Sequence, residues 1–344
     1  MSSAPVLEST AREMLAGGRG LLAADESTGT ITKRFAEHGI ESTEETRRRY
    51  RELLFTTEGI ERDLGGIILY DETVRQAIAQ GTGMVALLEQ RGIVPGIKVD
   101  QGAKDLAGFP GEKVTEGLDG LRERFAEYRE LGLRFAKWRT VIEVGDQRPT
   151  PTAIDVNAHV QARYAVLAQE AGLVPIVEPE SIMDGAHGID RSTEVTEAVL
   201  HAVFDQLVRQ RVALEGVLLK TNMVVSGYAG SNPAGPEEVA ERTLTVLRRV
   251  VPPAVPGIVF LSGGQDDEQA TANLDAIARA GEQPWIVSFS YARALQGQAM
   301  AAWGGRDDHV EAAQQVFRHR TRMTGLANRG EWTPRAEHEA TAGI

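Results

Sequence analysis

Charged side chains recur at the ends of short apolar runs in this 344-residue chain. The run EGVLLKTNMVV, residues 215–225, sets Lys220 directly after Val217, Leu218 and Leu219. Other runs end in Asp25, in Lys98 with Asp100, in Lys137 with Arg139, and in Glu178 with Glu180. Burying an ammonium without a partner costs several kcal/mol, so a lysine in such a place calls for a use. An amine attacks a ketone only when neutral, and a free lysine, with a pKa of about 10.4, is protonated at neutral pH. An apolar strand end and a neighbouring cation both disfavour the charged form. Lys220 ends such a strand, and Lys137 could be the cation. The chemistry available is an imine with a substrate carbonyl. Its protonated form would draw electrons from an adjacent breaking C–C bond, with Glu178 moving protons. A structural salt bridge from Lys220 to Glu178 or Asp25 is the alternative, and both readings stand at this point.

Two further features point to phosphate. LSGGQ, residues 261–265, brings Ser262, Gly263 and Gly264 together, and glycines let backbone N–H groups approach an anion closely. SYARALQ follows, with Ser290 and Arg293 ahead of an expected short helix. Asp266, Asp267 and Glu268 are expected in the first turn of the intervening helix, facing outward. Lys98 and Arg139 form a second cationic group. Two anion sites on opposite sides suggest a substrate with a phosphate at each end.

These residues need elements to position them. Eight runs read as strands buried on both faces: 20–25, 65–70, 94–100, 134–139, 174–180, 216–220, 257–262 and 285–290. Amphipathic segments between them read as helices, at 118–131, 159–171, 193–211 and 236–250. Another helix runs through about Phe55, with Ser42 and Glu45 at capping-box spacing and Arg47, Arg48 and Arg49 as a solvated face. Eight strand-helix units fit a (β/α)8 TIM barrel, whose strand C-termini surround the active site. A doubly wound open sheet is the runner-up, although the first strand leads into DESTGT, not G-x-G-x-x-G. The expected organisation is one barrel with an N-terminal helical extension over residues 1–324, then a polar, mobile tail over 325–344.

Composition narrows the function classes. The chain is 42% hydrophobic and 25% charged, as globular proteins are. A net charge of −12 argues against a broad nucleic-acid surface. Without cysteine there is no thiolate metal site or cysteine nucleophile, and the seven histidines lack a familiar zinc spacing, so no metal is expected. No run approaches the ~20 apolar residues of a membrane span, and MSSAPVLESTAREML does not read as a secretory leader. A cytoplasmic location is expected.

GRGLLAADESTGTITKRF, EETRRRYRELLFTT, GIKVDQG, GLDGLRERFAEYRELGLRFAKWR, LVPIVEPE, LEGVLLKTNMV, RRVVPPAVPGIVFLSGGQ and WIVSFSYARALQ occur in this order. In these stretches, which extend over most of the chain, it resembles class I, Schiff-base fructose-1,6-bisphosphate aldolase. The resemblance implies a homotetrameric barrel without cofactor. It also implies reversible cleavage of fructose 1,6-bisphosphate to dihydroxyacetone phosphate and glyceraldehyde 3-phosphate, in glycolysis and gluconeogenesis. It makes Lys220 the imine-forming residue and Glu178 the acid/base. Asp25 would orient the lysine and assist at the breaking bond, Lys137 would set positive charge beside the imine, and Glu180 would support the proton network. Ser262, Gly263, Gly264, Ser290 and Arg293 would hold the 1-phosphate, with Arg34 reaching the same substrate, and Lys98 and Arg139 would serve the 6-phosphate. Three features depart from the animal enzymes: Thr221 in place of proline, Ala292 in place of glycine, and an ending ATAGI in place of the terminal tyrosine. The last leaves the preference over fructose 1-phosphate open. Another Schiff-base sugar-phosphate aldolase, a transaldolase, or a non-catalytic sugar-phosphate scaffold remain as alternatives.

Overall fold

The apolar runs of the sequence become strands because each can bury both of its faces, one on a barrel axis and one under a layer of helices. The computed structural model describes residues 4–339. Its strands are β1 (Gly20–Ala24), β2 (Leu64–Leu69), β3 (Val94–Lys98), β4 (Phe135–Glu143), β5 (Val174–Ile182), β6 (Leu218–Thr221), β7 (Gly257–Phe260) and β8 (Ile286–Tyr291). They close into a parallel barrel in the ring order β1, β8, β7, β6, β5, β4, β3, β2. The expected (β/α)8 barrel is the observed fold, and the open sheet is set aside by β1 pairing with both β2 and β8.

Strand side chains alternate between faces. Leu21, Ala23, Phe135, Val174, Ile176 and Leu218 pack together on the barrel axis, whereas Leu22, Ala24, Ala136, Val177 and Leu219 join the outer layer beneath the helices. The same period of two carries the inner rows upward from Ala23 to Asp25, from Phe135 to Lys137 and Arg139, from Ile176 to Glu178 and Glu180, and from Leu218 to Lys220. The barrel is therefore apolar at its floor and charged at its C-terminal mouth. Helix α1 (Ala4–Leu15) closes the floor with Leu7, Ala11, Met14 and Leu15, which share one helical face and are buried in the axial cluster. Burial stabilises each of the larger of these side chains by roughly 1.5–3 kcal/mol.

β4 and β5 stay paired from Phe135↔Val174 to Glu143↔Ile182, well past the shorter strands. They raise the wall that carries Arg139 and Glu180. A small antiparallel pair, Ala103–Asp105 with Lys113–Thr115, is inserted after β3.

Several boundaries differ from expectation. Helix α3 (Glu44–Thr56) is capped by Thr43 and Thr46 in place of Ser42 and Glu45. Glu45 is held instead by Arg48, and the Ser42 hydroxyl by Thr32. The arginines of this helix are not simply solvated: Arg47 pairs with Glu72, Arg48 with Glu45 and Glu52, and Arg49 with Asp307. The helix expected from His159 begins two turns earlier, at Pro151, with Thr150 as its cap. The expected tail from residue 325 is, through residue 339, packed structure. Helix α12 (Val310–Asn328) runs straight through Gly325, where a Cβ would lie 2.2 Å from the Asp63 carboxylate. That glycine marks a close approach, not a helix end. Beyond it Trp332 and Glu337 are buried, and Glu337 pairs with the buried Arg320. ATAGI lies outside the described residues.

Candidate active site

All thirteen site residues expected from the sequence line one cleft of about 330 Å³ at the C-terminal mouth of the barrel. At its base are four buried charges. Lys137 Nζ lies 2.8 Å from Asp25 Oδ2 and 3.0 Å from Glu178 Oε2, and Lys220 Nζ lies 3.0 Å from Glu178 Oε1. The two lysines thus share one carboxylate. The side chains of Lys137, Lys220 and Glu178 are each only 4% exposed, so water does little to screen these contacts.

Burial alone would raise the Asp25 carboxyl, but Lys137 and Lys220 outweigh it and hold it down to about 2. Burial would likewise lower Lys137, and Asp25 and Glu178 reverse that, pushing it above the ordinary lysine range. Glu178 is lowered overall, burial being opposed by Lys137, Lys220 and Arg139. Lys137 is therefore a fixed ammonium between two carboxylates and cannot serve as an amine nucleophile. Lys220, touching one carboxylate, has a proton acceptor in reach. Glu178 Oε2 lies 3.0 Å from Lys137 Nζ and accepts no hydrogen bond among the described residues. It is a buried acceptor available to a substrate hydroxyl.

The rim carries the cations. On one side Lys98 bonds Asp100 at 2.6 Å, and Arg139 pairs with Glu180. Across the ring, the loop after β7 and the start of α11 (Arg293–Trp303) supply Ser262, Gly263, Gly264, Ser290 and Arg293. Gly263 and Gly264 have φ of 51° and 91°, in the left-handed region that exposes successive N–H groups. The Ser290 hydroxyl is buried without a partner. Arg293 opens α11 with no hydrogen-bond or ion-pair partner among the described residues. Asp266 caps α10 (Asp267–Arg279), so the acidic run after the glycines is absorbed by that helix start. Arg34 pairs with Glu26, which also accepts from Arg51 at 2.6 Å and from Gln296 at 3.0 Å.

The sequence departures are accommodated. Thr221 continues β6 by pairing with Phe260, and its carbonyl accepts from the Leu261 N–H at 3.0 Å. Ala292 has φ −107°, so its methyl meets none of the strain of a left-handed residue.

Sequence reasoning missed Glu26, Ser27 and Thr30 in the cleft, and Tyr228 beside it. Ser27 and Thr30 stand at the start of α2 (Thr28–Glu37), and their hydroxyls are 3.1 Å apart. Two hydroxyls just past a strand end were a legible signal in DESTGT. Tyr228 had none, because it acts through a loop contact distant in sequence. Its hydroxyl donates to the Gly263 carbonyl at 2.8 Å, and its ring covers Gly264. Its own segment is bonded to the β5 loop through Gly227 N to His187 O and Tyr228 N to Met183 O, both 2.8 Å.

Among the described residues, no group of three or more His, Asp or Glu could hold a metal ion, and no helix is long and apolar enough to cross a membrane.

Comparison with known proteins shows the family and agrees with the barrel fold. The family model described as fructose-bisphosphate aldolase class-I matches residues 6–343. A probable fructose-bisphosphate aldolase class 1 of Xanthomonas campestris pv. campestris is 53% identical over 327 residues, covering 95% of this chain and 98% of its relative. Fructose-bisphosphate aldolase C of Rattus norvegicus is 48% identical over 338 residues, covering 98% and 93%. A solved structure of fructose-bisphosphate aldolase from Plasmodium falciparum superposes with a TM-score of 0.95 at 45% identity, covering 96% of each chain.

Proposed function

Because the chain belongs to the class I fructose-bisphosphate aldolase family, we propose that Lys220 forms the Schiff base through which it cleaves fructose 1,6-bisphosphate. The enzyme is a lyase of glycolysis and gluconeogenesis, and its products are dihydroxyacetone phosphate and glyceraldehyde 3-phosphate. One observation carries the residue assignment: of the two lysines on Glu178, Lys137 is locked as a cation by a second carboxylate.

The steps follow from the contacts. Lys220 passes a proton to Glu178 Oε1 and attacks the C2 carbonyl. Glu178 returns the proton to the carbinolamine hydroxyl, water leaves, and an iminium forms. The C3–C4 bond then breaks. Its electron pair flows to the iminium, giving an enamine, while the C4 hydroxyl proton passes to a carboxylate of the Asp25–Glu178 pair. Glyceraldehyde 3-phosphate departs. Reprotonation of the enamine at C3 and hydrolysis of the resulting imine release dihydroxyacetone phosphate and free Lys220. The ammonium of Lys137 lowers the energy of the negative charge that returns to Glu178 as it protonates the departing water. Glu180 acts indirectly, by holding Arg139.

The 1-phosphate lies on the backbone of Gly263 and Gly264 with Ser262, Ser290 and Arg293, and Arg34 reaches the substrate from α2. Lys98 and Arg139 receive the 6-phosphate. No cofactor takes part in this scheme. A homotetramer in the cytoplasm is the assembly and place we infer from the family, and light scattering on the purified protein tests the assembly.

Borohydride reduction with dihydroxyacetone phosphate, followed by peptide mass mapping, tests the mechanism. The expected result is one stable adduct on Lys220, with cleavage activity persisting in a chelator. An adduct elsewhere, or none, overturns the assignment. Cleavage that stops in chelator and returns with zinc overturns the imine route.

A further inference from the structure

A second cationic depression lies on the opposite end of the barrel from the active site, and nothing in the aldol chemistry uses it. Arg62 and Asp63 enter it from the turn that leads into β2, and Arg318, His319 and Arg322 from α12. Arg329, just after that helix, completes its wall around a volume of about 510 Å³. The spacing of 318 and 322 places both guanidinium groups on one helix face.

The charges are badly unbalanced. Four exposed arginines surround one carboxylate. Arg329, Arg322 and Arg62 all act on Asp63, opposing the burial that pushes its carboxyl up. Arg329 is 3.8 Å from Asp63 and is also drawn to Glu331 at 3.1 Å. Arg62, Arg318 and Arg322 form no hydrogen bond or ion pair through their side chains among the described residues, and Arg318 lies against Gly59. His319 is 8% exposed; its Nε2 is spent on Glu337, and its Nδ1 is buried with no partner. In a chain of net charge −12, arginines gathered in one concave site create a local positive potential that attracts an anion.

We propose that this depression is a binding site for a small polyphosphate anion. Planar guanidinium groups pair with phosphate oxygens two at a time, so several converging arginines favour a ligand with several phosphates over one with a single phosphate. The concave shape and the acidic remainder of the surface favour a small molecule over nucleic acid. Inorganic tripolyphosphate and the triphosphate of a nucleotide share this chemistry.

Calorimetric titration of the full chain with tripolyphosphate, with the active site saturated by fructose 1,6-bisphosphate, reads the site directly. Binding should persist under that competition. It should weaken at least tenfold in Arg318→Gln/Arg322→Gln, while kcat/KM for cleavage stays within twofold. Orthophosphate should bind at least tenfold more weakly than tripolyphosphate. ATP binding as tightly as tripolyphosphate means the phosphate chain alone is recognised, and tighter binding means the nucleoside is also held; both outcomes support the site. Arg62→Gln, on a separate element, repeats the test if the double variant does not fold. Binding abolished by fructose 1,6-bisphosphate, binding unchanged in the variants, or binding of DNA but not of tripolyphosphate each overturns the proposal.

Discussion

Replacing Lys137 with methionine keeps the length of the side chain and removes one charge from the buried quartet. In the wild type, Asp25 and Glu178 balance Lys137 and Lys220. In Lys137→Met two carboxylates face one ammonium. Asp25 sits at about 2 against an ordinary 3.8, a difference equivalent to about 2.4 kcal/mol of native-state stability. Because the native value is depressed, that contribution is present above pH 3.8 and is lost as the pH falls through about 2. The first of its favourable causes is Lys137, so the substitution removes most of it and also leaves a buried carboxylate unpaired. Breaking a buried pair from one side costs about 3–5 kcal/mol, which sets the deficit expected at pH 7. With Lys137 gone, burial of Asp25 raises its carboxyl, and the variant takes up a proton on acidification before the wild type does. The deficit should therefore narrow by about 2 kcal/mol between pH 7 and pH 3. Urea unfolding followed by tryptophan fluorescence, at fixed protein concentration, measures this, since Trp138 is buried next to Lys137 in the chain. A deficit below about 1 kcal/mol, or one flat across that pH range, would refute the reading of a coupled buried quartet. Cleavage should fall at least about 100-fold in the same variant.

Arg293→Ala removes the unpartnered rim cation and should raise KM for fructose 1,6-bisphosphate by about 10- to 100-fold with a smaller change in kcat, in steady-state assays. Tyr228→Phe deletes the hydrogen bond that holds the Gly263 carbonyl. It should raise KM about fivefold, leave kcat within twofold, and leave the melting temperature nearly unchanged. Gly325→Ala places a methyl where the Asp63 carboxylate sits and should destabilise the protein by about 1–3 kcal/mol in denaturant unfolding, with kinetic constants unchanged in the folded fraction.

The barrel was legible because its strands are apolar on both faces and end in charge; in a barrel those strand ends bring Lys220, Glu178 and Lys137 to one mouth. Polar tips on an apolar row are a local signal, and the residues they mark line one cleft. What the sequence hid depends on contacts between distant segments. Gly325 reads as a helix breaker until Asp63, from the other end of the chain, is placed beside it. Thr43 took the cap from Ser42 because Arg48 had claimed Glu45. Glu26 lies beside Asp25 in the chain, yet its service to Arg34 and Arg51 emerges only when α2 and α3 meet. Tyr228 meets the Gly263 carbonyl through a turn that the loop after β5 positions.

The pairing of rim cations with carboxylates has a kinetic consequence. Lys98 and Arg139 each already hold an acidic partner, in Asp100 and Glu180. If Lys98 and Arg139 receive the 6-phosphate as proposed, a phosphate arriving there swaps one anion for another, as on an ion-exchange resin, and leaves a carboxylate ready to reclaim its cation. Affinity at that end is thereby capped, and departure of a phosphorylated product is assisted by the protein's own side chains. Arg293 has no such competitor, so the triose held at its end should be the slower of the two to leave.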